Sequence, residues 1–317
     1  MMIKKFQSGL LFLCLCLPFQ GVLTYAQVAP QPQTAPSTTQ QSPAPSQQPA
    51  TVPSQQPVPA AQPETPLNTS DNQLSIQLFY WLTSSQPNLR GGAANVGPYP
   101  GDLNYPGKAK PAPGAVISIP AGRNNTVRVT YFRIQGDGNT TANANLTLFN
   151  TDFSPGDYLV TRYNLQNVKI SYDYLSFPYP ADPSRFRLKT LWEVQYTTIQ
   201  SSVDAPLKTI TYDASGNPIP NTGTGTRWII YPSFGLSIEK ALTPHFRFEA
   251  KASGFTFPHR ATIWDADASA VFRTGSYEVA AGVKAFHFKT SPQNSQYMLA
   301  TFPGAYIAVR YYPKWPR

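Results

Sequence analysis

The chain has 317 residues, a formal net charge of +9, 41% hydrophobic and 13% charged residues, and two cysteines. It has no Lys/Arg run of five or more, which excludes a basic nucleic-acid patch. No apolar run of about 18 residues follows its first segment, which excludes helical membrane spans.

Residues 1–26 read as a secretory signal peptide. Lys4 and Lys5 form the basic start, residues 9–17 are an apolar run too short to span a bilayer as a helix, and Ala26 stands at the expected cleavage point. Cys14 and Cys16 both lie in this leader, each preceded by a leucine rather than a small residue, so lipidation is not expected. The mature chain then has no disulfide, thiol nucleophile or cysteine metal ligand, which suits passage through an oxidising compartment. Taking Lys4 and Lys5 from the +9 leaves +7, a mild positive charge that suits anionic lipopolysaccharide head groups.

Residues 27–73 are rich in Pro, Gln, Ala, Ser and Thr and contain no aromatic residue. Such a segment buries too little apolar surface to offset its ordering entropy. It is expected to be a disordered, semi-stiff spacer of polyproline-II character in the periplasm, either without a partner or as a tether through or near peptidoglycan.

From residue 74 the composition changes, and period-2 alternation replaces any helical period. Ten strands are expected, in residues 74–82, 114–120, 126–135, 157–177, 185–203, 227–240, 245–257, 259–273, 276–289 and from 300 or 304 to 312. Connections after the first, third and fifth strands are long (83–113, 136–156, 204–226) and rich in Gly, Pro, Asn and Thr. Those after the second, fourth, sixth and eighth are short. Several strands run past the five or six residues usual in a sandwich. This pattern predicts an all-β antiparallel transmembrane barrel of about ten strands over residues 74–317, with eight and twelve as alternatives. Both termini then face the periplasm and the long loops face outward.

Alternation assigns faces. On residues 185–203, Phe186, Leu188, Trp192, Val194 and Tyr196 face lipid, while Arg187, Lys189, Glu193 and Gln195 face inward. Trp228, Ile230, Phe234, Leu236 and Ile238 face out on the next strand. Phe246 and Phe248 face out with Arg247, Glu249 and Lys251 inside. Trp264 and Phe272 face out with Asp265 and Asp267 inside. Tyr277, Val279 and Val283 face out with Glu278 and Lys284 inside, and Ile307, Val309 and Tyr311 face out with Arg310 inside. Inward charges of both signs predict a paired network that fills a small lumen, because unpaired buried charge costs several kcal/mol.

The stretch from Gly304 through Ile307 and Val309 to Tyr312 is similar to the C-terminal signal read by the barrel-assembly machinery, with a five-residue tail after it. With the strand pattern of residues 74–312 it resembles the outer-membrane β-barrel proteins of Gram-negative bacteria, including barrels of Acidobacteria type. The resemblance implies outer-membrane lipid, lipopolysaccharide and the assembly machinery as partners. Some barrels of this kind are hydrolases that place a histidine beside a serine or acids. Here Lys289 stands where a lipid A deacylase has the serine after His287, and Ser291 lies four residues on. His259 lacks recognisable paired acids, and His245 sits at a turn. No metal cluster, phosphate-binding loop or nucleophile elbow is found, so no cofactor and no catalytic residue is assigned. The expected function is structural or surface-binding through the long loops, with a narrow solute channel and a barrel hydrolase as alternatives.

Overall fold

Side chains that alternate in character every second residue bury one face of a strand and leave the other apolar face outside. The computed structural model describes residues 73–91, 101–104, 107–122, 125–178, 186–257, 261–290 and 296–314. The leader and the spacer up to residue 72 lie outside the described residues. In chain order the strands are β1 (Ser75–Thr83), β2 (Asn88–Gly91), β3 (Gly101–Asn104), β4 (Ala112–Pro120), β5 (Thr126–Thr141), β6 (Leu146–Leu148), β7 (Thr151–Phe153), β8 (Tyr158–Phe177), β9 (Phe186–Asp204), β10 (Thr211–Tyr212), β11 (Pro218–Ile219), β12 (Thr222–Ala241), β13 (Phe246–Phe257), β14 (Ala261–Thr274), β15 (Tyr277–Lys289) and β16 (Gln296–Tyr311).

Twelve of them form one antiparallel sheet: ten make the wall in the order β1-β4-β5-β8-β9-β12-β13-β14-β15-β16, β16 pairs with β1 to close it, and β2 and β3 extend the sheet from the loop-end part of β16. Closure leaves no free edge within the wall, which a strand-built membrane protein requires. Short connections gather at one end, here termed the turn end, where β1 begins and β16 finishes. The long connections gather at the loop end. Each long connection, which the sequence predicts as loop alone, contains a hairpin: β2–β3, β6–β7 and β10–β11. The β6–β7 turn is two residues, Phe149 and Asn150, both with positive φ (52° and 61°), as the tight hairpin turn demands.

Cross-strand register aligns the outward side chains in rows. Val127, Tyr172, Trp192 and Phe234 form one row, and Tyr131, Val168, Tyr196 and Ile230 another nearer the loop end. Along β9 the stretch from Phe186 to Tyr196, at ~3.3 Å per residue and ~40° tilt, rises about 25 Å, the height of the apolar band of a membrane barrel. Large side chains stay uncovered on this face: Trp192 is 57% exposed and Trp228 62%. Beyond this band β5, β8, β9 and β12 continue as a wall whose outward rows are mostly polar, after a mixed row that includes Trp228.

Inward positions are filled. Gly114 on β4 faces Phe79 of β1 in register, and a β-carbon there would overlap the Phe79 ring. The close approach is therefore open to glycine alone.

Candidate functional site

The lumen is divided into two layers. The turn-end layer is charged. Arg247 on β13 donates two 2.7 Å bonds to Glu278 on β15, pairs with Glu249 at 2.7 Å and lies 3.4 Å from Glu239 on β12. Arg310 on β16 reaches Glu278 at 3.0 Å and Gln77 on β1 at 2.8 Å. Arg187 and Lys189 on β9 meet Glu239 at 3.6 and 3.1 Å. Glu239 and Glu249 stand directly opposite each other in register, so Arg247 holds apart two carboxylates that would otherwise repel. Arg273 lies over the Tyr312 ring at 4.1 Å and donates to Gln73, the described residue just ahead of the barrel.

Above this, Lys169 on β8 bonds Asp265 at 2.7 Å and Glu193 at 3.2 Å, and Lys284 lies 3.5 Å from Asp265. The Ser253 hydroxyl sits between Glu193 and Asp265, and Arg128 pairs with Asp173 at 3.0 Å. Lys251 touches Glu249 only at 4.0 Å. Asp267 is flanked in register by Lys251 and Lys284 but forms no ion pair within 4.0 Å among the described residues. All eleven residues singled out from the sequence lie on the inward face, ten of them in these ion-pair networks and Asp267 beside them. Lys169, Arg128, Asp173, Glu239, Arg273 and Ser253 were missed. Strand parity marks each: Glu239 follows outward Ile238, and Lys169 shares parity with Ser171 and Asp173.

The loop-end layer is apolar, in contrast to the charged lumen that strand alternation predicts. Trp81, Phe132 and Phe286 meet edge to face, with centroids 5.6 and 5.1 Å apart. Phe288, Phe302, Ile134, Leu165, Ile199 and Ile263 pack into the same core. Lys284 joins the layers by lying 5.7 Å from both the Trp81 and Phe132 rings. A cavity of about 70 Å³ remains within the charged layer, lined by Lys169, Glu249, Lys251, Asp265 and Asp267 among others, room for a handful of waters. Leu146, Leu148 and Phe153 of the β6–β7 hairpin are buried at the loop end. Lys208, from the β9–β12 connection, reaches Asp157 at 3.5 Å and the Phe153 ring at 5.8 Å, fastening one long connection to another. Fully exposed Asp213, in the β10–β11 turn, accepts backbone and side-chain bonds from Asn217 and a backbone bond from Ser215, and these hold its carboxyl below the ordinary range.

Among the described residues, the histidines assemble no catalytic group in the lumen. His287 faces outward from β15, stacks on Trp264 at 5.3 Å and 9°, and bonds Thr301 at 2.8 Å. His245 lies at the turn end with its Nδ1 3.1 Å from the Arg273 carbonyl. His259 and Ser291 lie outside the described residues. Among the described residues no cluster of three His, Cys, Asp or Glu side chains has metal-binding geometry.

A second feature is on the outer surface. Just beyond the apolar band, β5, β8, β9 and β12 frame a polar groove of about 420 Å³. It is lined by the outward rows Gln135–Asn164–Gln200–Thr226 and Asp137–Arg162–Ser202–Thr224, with Lys110 paired to Asp137 at its rim.

Neither a protein-family model nor a curated protein matches this chain. Among solved structures it is similar to the outer membrane protease OmpT from Escherichia coli (TM-score 0.49, 9% identity, covering 77% of this chain and 98% of that one). It is also similar to the transport unit of the autotransporter AIDA-I from Escherichia coli (TM-score 0.37, 10% identity, 78% and 92%). A third is the toluene transporter TodX of P. putida (TM-score 0.29, 8% identity, 78% and 91%). Three different activities stand behind these structures, and none is carried to this chain. None comes from an acidobacterial source, and that narrower resemblance has no support.

Proposed function

We propose that this chain is an integral outer-membrane β-barrel with a closed lumen, whose role is structural or surface-binding and is exerted at its loop end. The observation that carries this reading is the contrast between its two faces. The outside bears an apolar band about 25 Å high, bounded by Tyr131, Tyr196 and Trp228. The inside is filled by a charged layer and an aromatic layer in series. A narrow channel needs a wetted path, and the Trp81–Phe132–Phe286 layer argues against one. The hydrolase alternative gains nothing from His287, which points away from the lumen. Gln73 at the turn end, bonded to Arg273, supports a spacer that leaves on the periplasmic side.

The test is fractionation together with migration of unheated and boiled protein on a detergent gel. Recovery with the outer membrane and faster migration before boiling are expected. A soluble periplasmic species without a heat shift would overturn the proposal.

A further inference from the structure

We infer that the polar groove on the outward face of β5, β8, β9 and β12 is a binding site for the anionic, sugar-bearing head group of an outer-leaflet glycolipid. The inference rests on the outer-membrane reading above and deepens it.

Position comes first. The outward row Tyr131–Val168–Tyr196–Ile230 ends the apolar band on these strands. The next row is Arg133, Gln166, Thr198 and Trp228, a mixed row of the kind found at a bilayer interface. The groove occupies the two rows after that. A lipid whose acyl chains pack on the apolar band must therefore set its head group against the groove floor.

Chemistry comes second. The first groove row presents three carboxamides and one hydroxyl: Gln135, Asn164, Gln200 and Thr226. Side-chain amides and hydroxyls both donate and accept, which matches the mixed hydrogen-bonding surface of a polyol. These groups are already ordered: Arg133 donates to Asn164 at 2.7 Å, and Asn164 donates to Gln200 at 3.4 Å. Ordering them before the ligand arrives lowers the entropy lost on binding.

Charge comes third. Asp137, the one acid in the two groove rows, is taken by Lys110. Arg162 is exposed and forms no ion pair among the described residues. Its guanidinium fork suits bidentate bonding to a phosphate or carboxylate. At about 420 Å³ the groove falls within the size range of small-ligand sites. A glycolipid head group bearing phosphate or acidic sugar meets all three conditions. A phospholipid meets only the charge.

The test uses the full chain folded in detergent and counts bound lipid by native mass spectrometry. Three probes are compared: purified lipopolysaccharide with lipid A and inner core, the free core oligosaccharide, and phosphatidylglycerol. The Arg162→Ser/Asn164→Ala double variant removes the fork at an exposed position and the central amide at a half-buried one. Lys240→Ser, an outward cation at the turn end, controls for charge alone. Lipopolysaccharide binding about tenfold weaker in the double variant and unchanged in Lys240→Ser is expected, with the oligosaccharide binding more weakly than the lipid. Equal loss in both variants, no loss in the double variant, or the same tenfold loss with phosphatidylglycerol would overturn the inference. The gel heat shift of each variant is measured in parallel, so a failure of the membrane reading is seen separately from a failure of the groove.

Discussion

Replacing Arg247 tests whether the turn-end charges form a dry, paired network or a water-filled one. Its guanidinium contacts Glu278 through two 2.7 Å bonds, Glu249 at 2.7 Å and Glu239 at 3.4 Å, and its side chain is only 6% exposed. Arg247→Met keeps the stem volume and deletes the charge. Arg310 and Arg273 still reach Glu278, while Glu239 and Glu249, opposite each other in register, lose the cation between them. Removing one partner of a buried ion pair costs about 3–5 kcal/mol, equivalent to roughly a 10²–10⁴-fold fall in the folding equilibrium. Urea unfolding in detergent, followed by tryptophan fluorescence, reads the loss directly. Pairing Arg247→Met with Glu278→Gln closes a double-mutant cycle, and a coupling above about 1 kcal/mol is expected. A loss under about 1 kcal/mol with no coupling would refute a dry network, since solvent would then be screening each charge on its own.

Phe132→Ala in the aromatic layer is expected to destabilise the barrel by about 3–5 kcal/mol in the same unfolding assay, because Phe132 is 2% exposed and packs against Trp81 and Phe286. A loss near zero would mean that layer is not packed. Asp213 gives a pH-dependent outcome. Its carboxyl is lowered first by the Asn217 backbone N–H, then by the Asn217 amide. A group with a lowered folded value contributes order that is present above its unfolded value and lost as pH falls through the folded one. Amide exchange at Ser215 and Asn217, corrected for intrinsic rates, should therefore accelerate on acidification below the carboxylate range. The Asp213→Ala chain should show no such step.

The strand pattern was legible to a degree that reflects its length. The strand expected at 185–203 is Phe186–Asp204, and that expected at 157–177 is Tyr158–Phe177. Long amphipathic runs leave little freedom for register or face. The expected end of the third strand at Gln135 is six residues short. Gly136-Asp137-Gly138-Asn139 carries turn residues, yet β5 continues through them because each pairs with β8, from Tyr163 to Val160. Thr222–Thr226 at the start of β12 was missed for the same reason, with Gly223 and Gly225 held by β9. The aromatic layer is hard to read from the sequence because on β1 both faces are apolar, with Phe79 and Trp81 inward and Tyr80 and Leu82 outward. In Phe286-His287-Phe288 the period-2 contrast disappears, although inward Lys284 fixes the parity of both phenylalanines. The groove was illegible locally, since its rows join side chains from four strands whose register only the closed sheet defines.

Single-channel recording of the full chain in a planar bilayer addresses the closed lumen most directly. With the charged layer and the Trp81–Phe132–Phe286 layer in series, and about 70 Å³ of free space within the charged layer, a flat baseline without discrete openings is predicted for folded protein. Steady, repeatable conductance steps from heat-modifiable protein would contradict it.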